Sequence, residues 1–254
     1  MTSSKGTVLV TGAGRRVGKA IALDLAAHGY TIAIHANNSV EQAEAVAGSI
    51  RETGGVAEVF LADLSDGKAV KALHADISKR LGPPDIIINN ASMFEHDDVR
   101  SMDEALFDKH FAIHLKAPAL LAQSMAASLP EDRDGLIVNI IDQRVWKLTP
   151  RYFSYTLSKS ALWTATQTMA QALAPRIRVN AIGPGPTLAN ERQKETDFAR
   201  QAAKVLLEHG PELSEFGATI RYLHQARSVT GQMIALDGGQ HLAWQTPDVS
   251  GVGE

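Results

Sequence analysis

Apolar and polar positions fall into two kinds of block along this chain. Short, nearly continuous apolar runs, rich in β-branched residues, cover Thr7 to Thr11, Thr31 to His35, Val56 to Leu61, Asp85 to Asn89, Gly135 to Ile141, Ile177 to Ile182 and Met233 to Leu236. Runs of this length without a polar face predict seven strands of a parallel sheet buried on both sides. Between them lie helix-length segments: Val17 to His28, Val40 to Thr53, Lys68 to Arg80, Asp103 to Ser128, Tyr152 to Ala174 and Glu212 to His224. Alternation of this kind builds right-handed βαβ units, so the expected fold class is α/β, a doubly wound seven-stranded parallel sheet with helices on both faces. One interruption stands out. Thr187 to Gly210 is a polar, helix-like excursion between the sixth strand and the last helix, readable as a substrate lid or as an ordinary surface connection.

Composition narrows the class. The chain has 254 residues, 44% hydrophobic and 21% charged, with net charge −3 and no cysteine. That length suits a single domain over 1–254, since no linker, repeat or low-complexity tract divides it. The charge gives no case for nucleic acid or a membrane surface, and no apolar run is long enough to span a bilayer. Without cysteine there are no disulfides or thiolate metal sites. The start, Met1-Thr-Ser-Ser-Lys-Gly-Thr7, runs into the first strand without a signal-peptide core, so cytoplasm is the expected compartment.

The first strand feeds into Thr11-Gly-Ala-Gly-Arg-Arg-Val-Gly18, and a helix follows. Gly12, Gly14 and Gly18 in that setting form the loop of a Rossmann-type dinucleotide site, where backbone approaches a pyrophosphate at a helix N-terminus. The second strand ends in His35-Ala-Asn-Asn-Ser39 with no acid before Glu41. A carboxylate there would favour a ribose 2′-hydroxyl. Its absence, with Asn37, Asn38 and Ser39 nearby and Arg15 and Arg16 in the loop, favours a 2′-phosphate and so NADPH. Arg16 fills a place where glycine is more usual. Asp63-Leu64 follows the third strand where an adenine would lie; capping of the next helix belongs more naturally to Ser65 or Asp66.

Tyr155 and Lys159 stand one helical turn apart, so both side chains share a helix face. A lysine ammonium beside a phenol favours the phenolate, which predicts a lowered Tyr155 pKa and a usable proton donor. Asp142 lies upstream, at the end of the fifth strand.

These pieces together resemble the short-chain dehydrogenase/reductase family over nearly the whole chain: Thr11 to Gly18, Asp63-Leu64, Asn89-Asn-Ala-Ser92, the Tyr155/Lys159 pair, Arg178-Val-Asn-Ala-Ile-Gly-Pro-Gly185 and Leu236-Asp-Gly-Gly239. Three departures point to one branch. Arg16 replaces a loop glycine, Asp142 replaces the catalytic serine, and His114 replaces an asparagine on the fourth helix. The first two, with Phe94, resemble pteridine reductases. Ile113-His-Leu-Lys-Ala-Pro118 looks closer still to the bacterial dihydromonapterin reductase subgroup.

The resemblance implies hydride transfer from NADPH. Lys159 would bond the nicotinamide ribose, and Tyr155 would deliver or relay the proton. The loop with Val17, together with His35, Asn90, Ala91, Ser92, Pro184, Gly185 and Thr187, would line the cofactor. Phe94 would cover one face of a pterin, near Arg16 and Ser92. His114 would support a proton path to Lys159 that is pH-sensitive near neutrality. The resemblance also implies a homotetramer.

Asp142 bears most on the substrate. A carboxylate only accepts hydrogen bonds and repels a developing alkoxide, so it suits an N-heterocycle whose ring NH and amino groups donate. The expected reaction is reduction of a dihydropterin C=N bond. The alternatives are an NADPH-dependent ketone or aldehyde reductase and a non-catalytic NADP-sensing protein. His110 and His114, four apart, have a metal-ligand spacing but no third ligand, so no metal is expected. Trp146, Tyr152 and Phe153 border the site, either shaping the pocket or packing on a subunit. The tail from His241 is apolar enough to dock.

Overall fold

The strands are β1 (Thr7–Val10), β2 (Thr31–Ala36), β3 (Ala57–Leu61), β4 (Ile86–Asn89), β5 (Gly135–Ile140), β6 (Ile177–Pro184) and β7 (Met233–Leu236). In the computed structural model, which describes residues 4–189 and 195–245, they form one sheet in the order β3-β2-β1-β4-β5-β6-β7, with every pair parallel. The helices are α1 (Arg16–Ala27), α2 (Val40–Glu52), α3 (Gly67–Leu81), α4 (Glu104–Phe111), α5 (Ala117–Ser128), α6 (Phe153–Leu173), α7 (Glu195–Ala202) and α8 (Leu213–Gln225).

The near-continuous apolar strands are explained by cover on both faces. Val8, Val10, Ile32, Ile34, Ile86 and Ile88 pack with Ile21, Leu25, Val46, Ile50, Phe216 and Ile220 of α1, α2 and α8. The intervening residues Leu9, Ala33 and Ile87 point the other way, onto Val70, Leu73, Ile77, Leu121 and Met125 of α3 and α5. Period-two alternation thus supplies two cores from one set of strands. Because β2 and β4 flank β1 on opposite sides, the loops leaving β1 and β4 diverge and open a crevice at the carboxyl edge.

One expected helix is interrupted. The segment Asp103 to Ser128 is α4, a π turn over Ala112–Lys116, then α5. Pro118 supplies the reason. It has no N–H to give the His114 carbonyl, and its ring would strike that carbonyl in a regular helix. The chain widens instead, and the Ala117 N–H bonds the Ala112 carbonyl, five residues back. π turns of this kind recur at functional sites, and this one carries His114. The excursion after β6 contains α7; residues 190–194 of that expected lid lie outside the described residues. Among the described residues, no helix is long and apolar enough to cross a membrane.

Candidate active site

The glycine loop has the shape of a dinucleotide cradle. Gly12 has φ +64°, a left-handed conformation that disfavours side chains, and a Cβ there would lie 3.0 Å from Ala91 Cα. Gly14 lies against the start of α2, where a Cβ would meet Ala43 N at 3.2 Å and Ser39 Oγ at 3.3 Å. At Gly18 a Cβ would overlap the Gly12 carbonyl oxygen and come within 2.5 Å of Asn90 Nδ2. Both neighbours are fixed, so Gly18→Ala is expected to destabilise the protein by ~1–3 kcal/mol and to weaken NADPH binding. Thermal denaturation with a cofactor titration checks this; an unchanged Tm would contradict it.

Two of the residues expected to line the cofactor brace the loop. His35 is buried beneath it: its Nδ1 accepts the Gly12 N–H at 3.1 Å and its Nε2 donates to the Ala62 carbonyl at 3.0 Å. Both ring nitrogens are occupied within the protein and burial lowers its pKa, so the ring is a neutral latch with no nitrogen left to bond a cofactor. The Asn90 amide donates to the carbonyls of Thr11 (2.8 Å) and Gly12 (3.2 Å), while Thr11 Oγ1 accepts the N–H groups of Asn90 and Ala91, each at 2.9 Å. The Asn90 amide N–H groups are therefore taken up by the loop.

Most of the other loop candidates are exposed. Asn37 and Asn38 are exposed and Ser39 half-buried after β2, and Arg15 and Arg16 are exposed at the start of α1. Val17 packs on the core. Arg16 has φ +51°, which costs a non-glycine residue on the order of 1–3 kcal/mol. Its guanidinium donates to the carbonyls of Leu188 (3.1 Å) and Ala189 (2.7 Å), bridging the loop to the segment after β6. Asp63 is exposed and accepts from the N–H (2.8 Å) and hydroxyl (2.7 Å) of Ser65, bonds that lower its pKa. Leu64 is buried beside it, and Asp66 caps α3. Pro184 ends β6, the Gly185 N–H bonds the Leu236 carbonyl at 2.8 Å, and Thr187 Oγ1 donates to the Gly185 carbonyl at 3.1 Å.

The catalytic candidates converge at the carboxyl ends of β4 and β5. The Tyr155 hydroxyl donates to Asp142 Oδ2 at 3.0 Å. Lys159, only 2% exposed, donates to the Ile140 carbonyl at 2.8 Å, and its ammonium lies 5.8 Å from the Tyr155 ring centroid. The expected lowering of the Tyr155 pKa is therefore reversed. Burial, then the Asp142 carboxylate, raise it well above its ordinary value, while Lys159 is spent on a backbone oxygen. Burial lowers Lys159 to about 8, so it remains mostly an ammonium at neutrality. The result is a protonated phenol aimed at a carboxylate.

Aromatic rings wall this pair. Phe94 stacks on Tyr152 with centroids 4.0 Å apart and meets the Tyr155 ring edge-on at 4.8 Å. One face of Phe94 is thus covered by Tyr152, itself left-handed at φ +58°. Trp146 lies 5.0 Å from His241 and 6.2 Å from Trp163. His241 docks on buried Asp237 at 2.7 Å, while Trp244 is 70% exposed; residues 246–254 of the expected docking tail lie outside the described residues. Phe153 begins α6 and is half-buried.

His110 and His114 form a ladder with α6. His110 Nδ1 pairs with Ser154 Oγ at 2.7 Å and His114 Nδ1 with Ser158 Oγ at 2.8 Å. The second tautomer follows from geometry. The Met93 N–H must donate to His114 Nε2 (3.2 Å), so Nδ1 carries the proton given to Ser158, while Ser92 Oγ also reaches Nε2 at 3.0 Å. Burial, then Lys159, hold the His114 pKa well below its ordinary value. The ring is neutral near pH 7, and the expected pH-sensitive path near neutrality is corrected. His114→Asn is accordingly expected to leave the shape of the pH–rate profile unchanged; a limb displaced near neutrality would contradict this.

Several residues of the site stand outside the motifs legible in the sequence. Arg144 pairs with Asp142 at 3.0 Å, and buried Asp97 accepts the Ser154 N–H at 3.1 Å. Ser154 and Ser158 carried a signal, an i,i+4 pair matching the histidines on the facing helix.

The chain is similar to known proteins over most of its length. A family model for short chain dehydrogenases matches residues 6–200. The chain is 28% identical over 241 residues to the 3-oxoacyl-(acyl-carrier-protein) reductase FabG of Staphylococcus epidermidis, covering 93% of this chain and 99% of that protein. It is 29% identical over 237 residues to dihydromonapterin reductase of Klebsiella pneumoniae, covering 92% and 96%. The crystal structure of FolM alternative dihydrofolate reductase 1 from Brucella canis, complexed with NADP, is 60% identical, with TM-score 0.94, over 97% of this chain and 98% of that one.

Proposed function

The chain belongs to the short-chain dehydrogenase family, and within it we propose an NADPH-dependent reductase of a dihydropterin C=N bond, of the dihydromonapterin or dihydrobiopterin type. The observation that carries this reading is the Asp142 carboxylate on the Tyr155 hydroxyl, where a ketone reductase needs donors. The NADP-bound relative at 60% identity and the dihydromonapterin reductase support it.

The glycine cradle, whose close contacts leave no room for a Cβ, fits a dinucleotide, and Arg15, Arg16, Asn37, Asn38 and Ser39 would hold its 2′-phosphate and pyrophosphate. Bound there, NADPH supplies the hydride. The protein's own residues handle protons and orientation. Tyr155 keeps its proton because burial and Asp142 disfavour the phenolate, so a donor is present throughout the neutral range. Asp142 accepts from ring NH or amino groups, orienting the C=N bond. The proton then passes from Tyr155 toward the imine nitrogen, with Lys159 completing the charge balance behind it. Phe94 would pack against the pterin ring, with Arg16 and Ser92 as further contacts.

Carbonyl reduction is the reading favoured by similarity to the FabG reductase; an accepting carboxylate counts against it. NADPH oxidation with dihydromonapterin and dihydrobiopterin, beside a panel of ketones and aldehydes, tests the two. Turnover on pterins is expected; turnover on carbonyls alone would overturn the reading. We also propose a single domain for both sites, a homotetramer built through α4, α5 and α6, and a cytoplasmic setting.

A further inference from the structure

Asp142 does not stand alone. Its Oδ1 accepts the Arg144 backbone N–H at 2.9 Å, and its Oδ2 accepts the Arg144 guanidinium at 3.0 Å. One residue thus grips both carboxylate oxygens, leaving the Tyr155 hydroxyl as a third donor, on Oδ2. The same guanidinium lies 5.1 Å from the Phe94 centroid and 5.5 Å from the Tyr152 centroid, within cation–π range of both rings. Neither partner is open surface: the Arg144 and Asp142 side chains are 24% and 14% exposed.

We propose that Arg144 is a positioning residue that clamps the Asp142 carboxylate between the Tyr155 hydroxyl and the Phe94 platform, fixing the direction of the acceptor that a dihydropterin meets. A two-point grip removes the carboxylate's rotational freedom. Without that guanidinium, the substrate's donors would meet a carboxylate that turns more freely. Arg144 also acts on the phenol, since its positive charge opposes the rise in the Tyr155 pKa. The other titratable groups facing this cluster are Tyr155 and Lys159 from α6 and, behind them, His110 and His114, with Glu95 and Asp97 near His110.

The proposal rests on the dihydropterin reading, so its test has an arm without substrate. Arg144→Met and Arg144→Gln remove the charge; Arg144→Lys keeps it. With NADPH and dihydromonapterin, the neutral variants are expected to lose about ten- to a hundredfold in kcat, the span of one charge-assisted hydrogen bond, with NADPH affinity unchanged. Arg144→Lys should restore most of it. A neutral variant that keeps the wild-type kcat overturns the clamp. In the second arm, carboxyl-carbon NMR follows Asp142 in the cofactor-free protein, its signal assigned by Asp142→Asn. The signal should be a single sharp line in the wild type and should broaden and shift in the neutral variants, as the carboxylate samples further orientations. If the wild type turns over no dihydropterin, the functional reading fails and the NMR arm alone decides the clamp: an unchanged line overturns it, a broadened and shifted one sustains it.

Discussion

Tyr155→Phe is expected to lower dihydropterin turnover by about a hundred- to ten-thousandfold, the usual reach of a positioned general acid. The variant removes one oxygen and keeps the ring that packs edge-on against Phe94 and His114. Asp142 loses its 3.0 Å phenol donor but retains both bonds from Arg144, so its carboxylate is not abandoned. The glycine cradle is untouched, and NADPH affinity should therefore be unchanged. Steady-state kinetics with a cofactor titration separates these effects. Residual turnover near the wild-type value would mean that the proton comes from elsewhere, with Asp142 the nearest candidate.

Asp142→Ser is the second large effect. Serine keeps a hydroxyl but not a negative charge, and its single oxygen cannot take the two-point grip of Arg144. The substrate's donors lose a charged acceptor, an interaction of ~1.5–3 kcal/mol, or roughly ten- to a hundredfold in kcat/KM. The same change removes the charge that helps to raise the Tyr155 pKa, bringing the phenol back toward its ordinary value. A serine hydroxyl can also donate to a carbonyl oxygen. The ratio of pterin to ketone kcat/KM should therefore fall by more than either constant alone. Equal losses on both substrates would show that Asp142 serves the fold and not the choice of substrate.

The strands were legible because burial on both faces leaves no polar register to misread, and each lies within a residue or two of its expected span. The Asp142, Tyr155 and Lys159 constellation was legible because two of its members are one helical turn apart and the third closes a strand. What escaped was direction and distance. His35 reads as a strand-end polar residue, and only the folded loop shows both its nitrogens turned inward. The Tyr155/Lys159 spacing fixes a shared helix face but shows neither that the ammonium chooses the Ile140 carbonyl nor that burial and the Asp142 carboxylate raise the Tyr155 pKa. Pro118 announced the break in the long helix through its missing N–H, though apolar periodicity ran across it. Arg144, two residues past Asp142, carried no periodic signal, because its role depends on a tight turn and on rings brought in from Phe94 and Tyr152.

Hydride delivery to a pterin C=N bond is tested most directly by isotope transfer. NADPH deuterated at the transferable position of the nicotinamide ring is incubated with the protein and dihydromonapterin, and the product is examined by NMR and mass spectrometry. Deuterium on the ring carbon of the former C=N bond, with none on the side chain, is the expected result. No incorporation into any pterin, together with deuterium on the carbinol carbon of a ketone substrate, would contradict it and leave a carbonyl reductase.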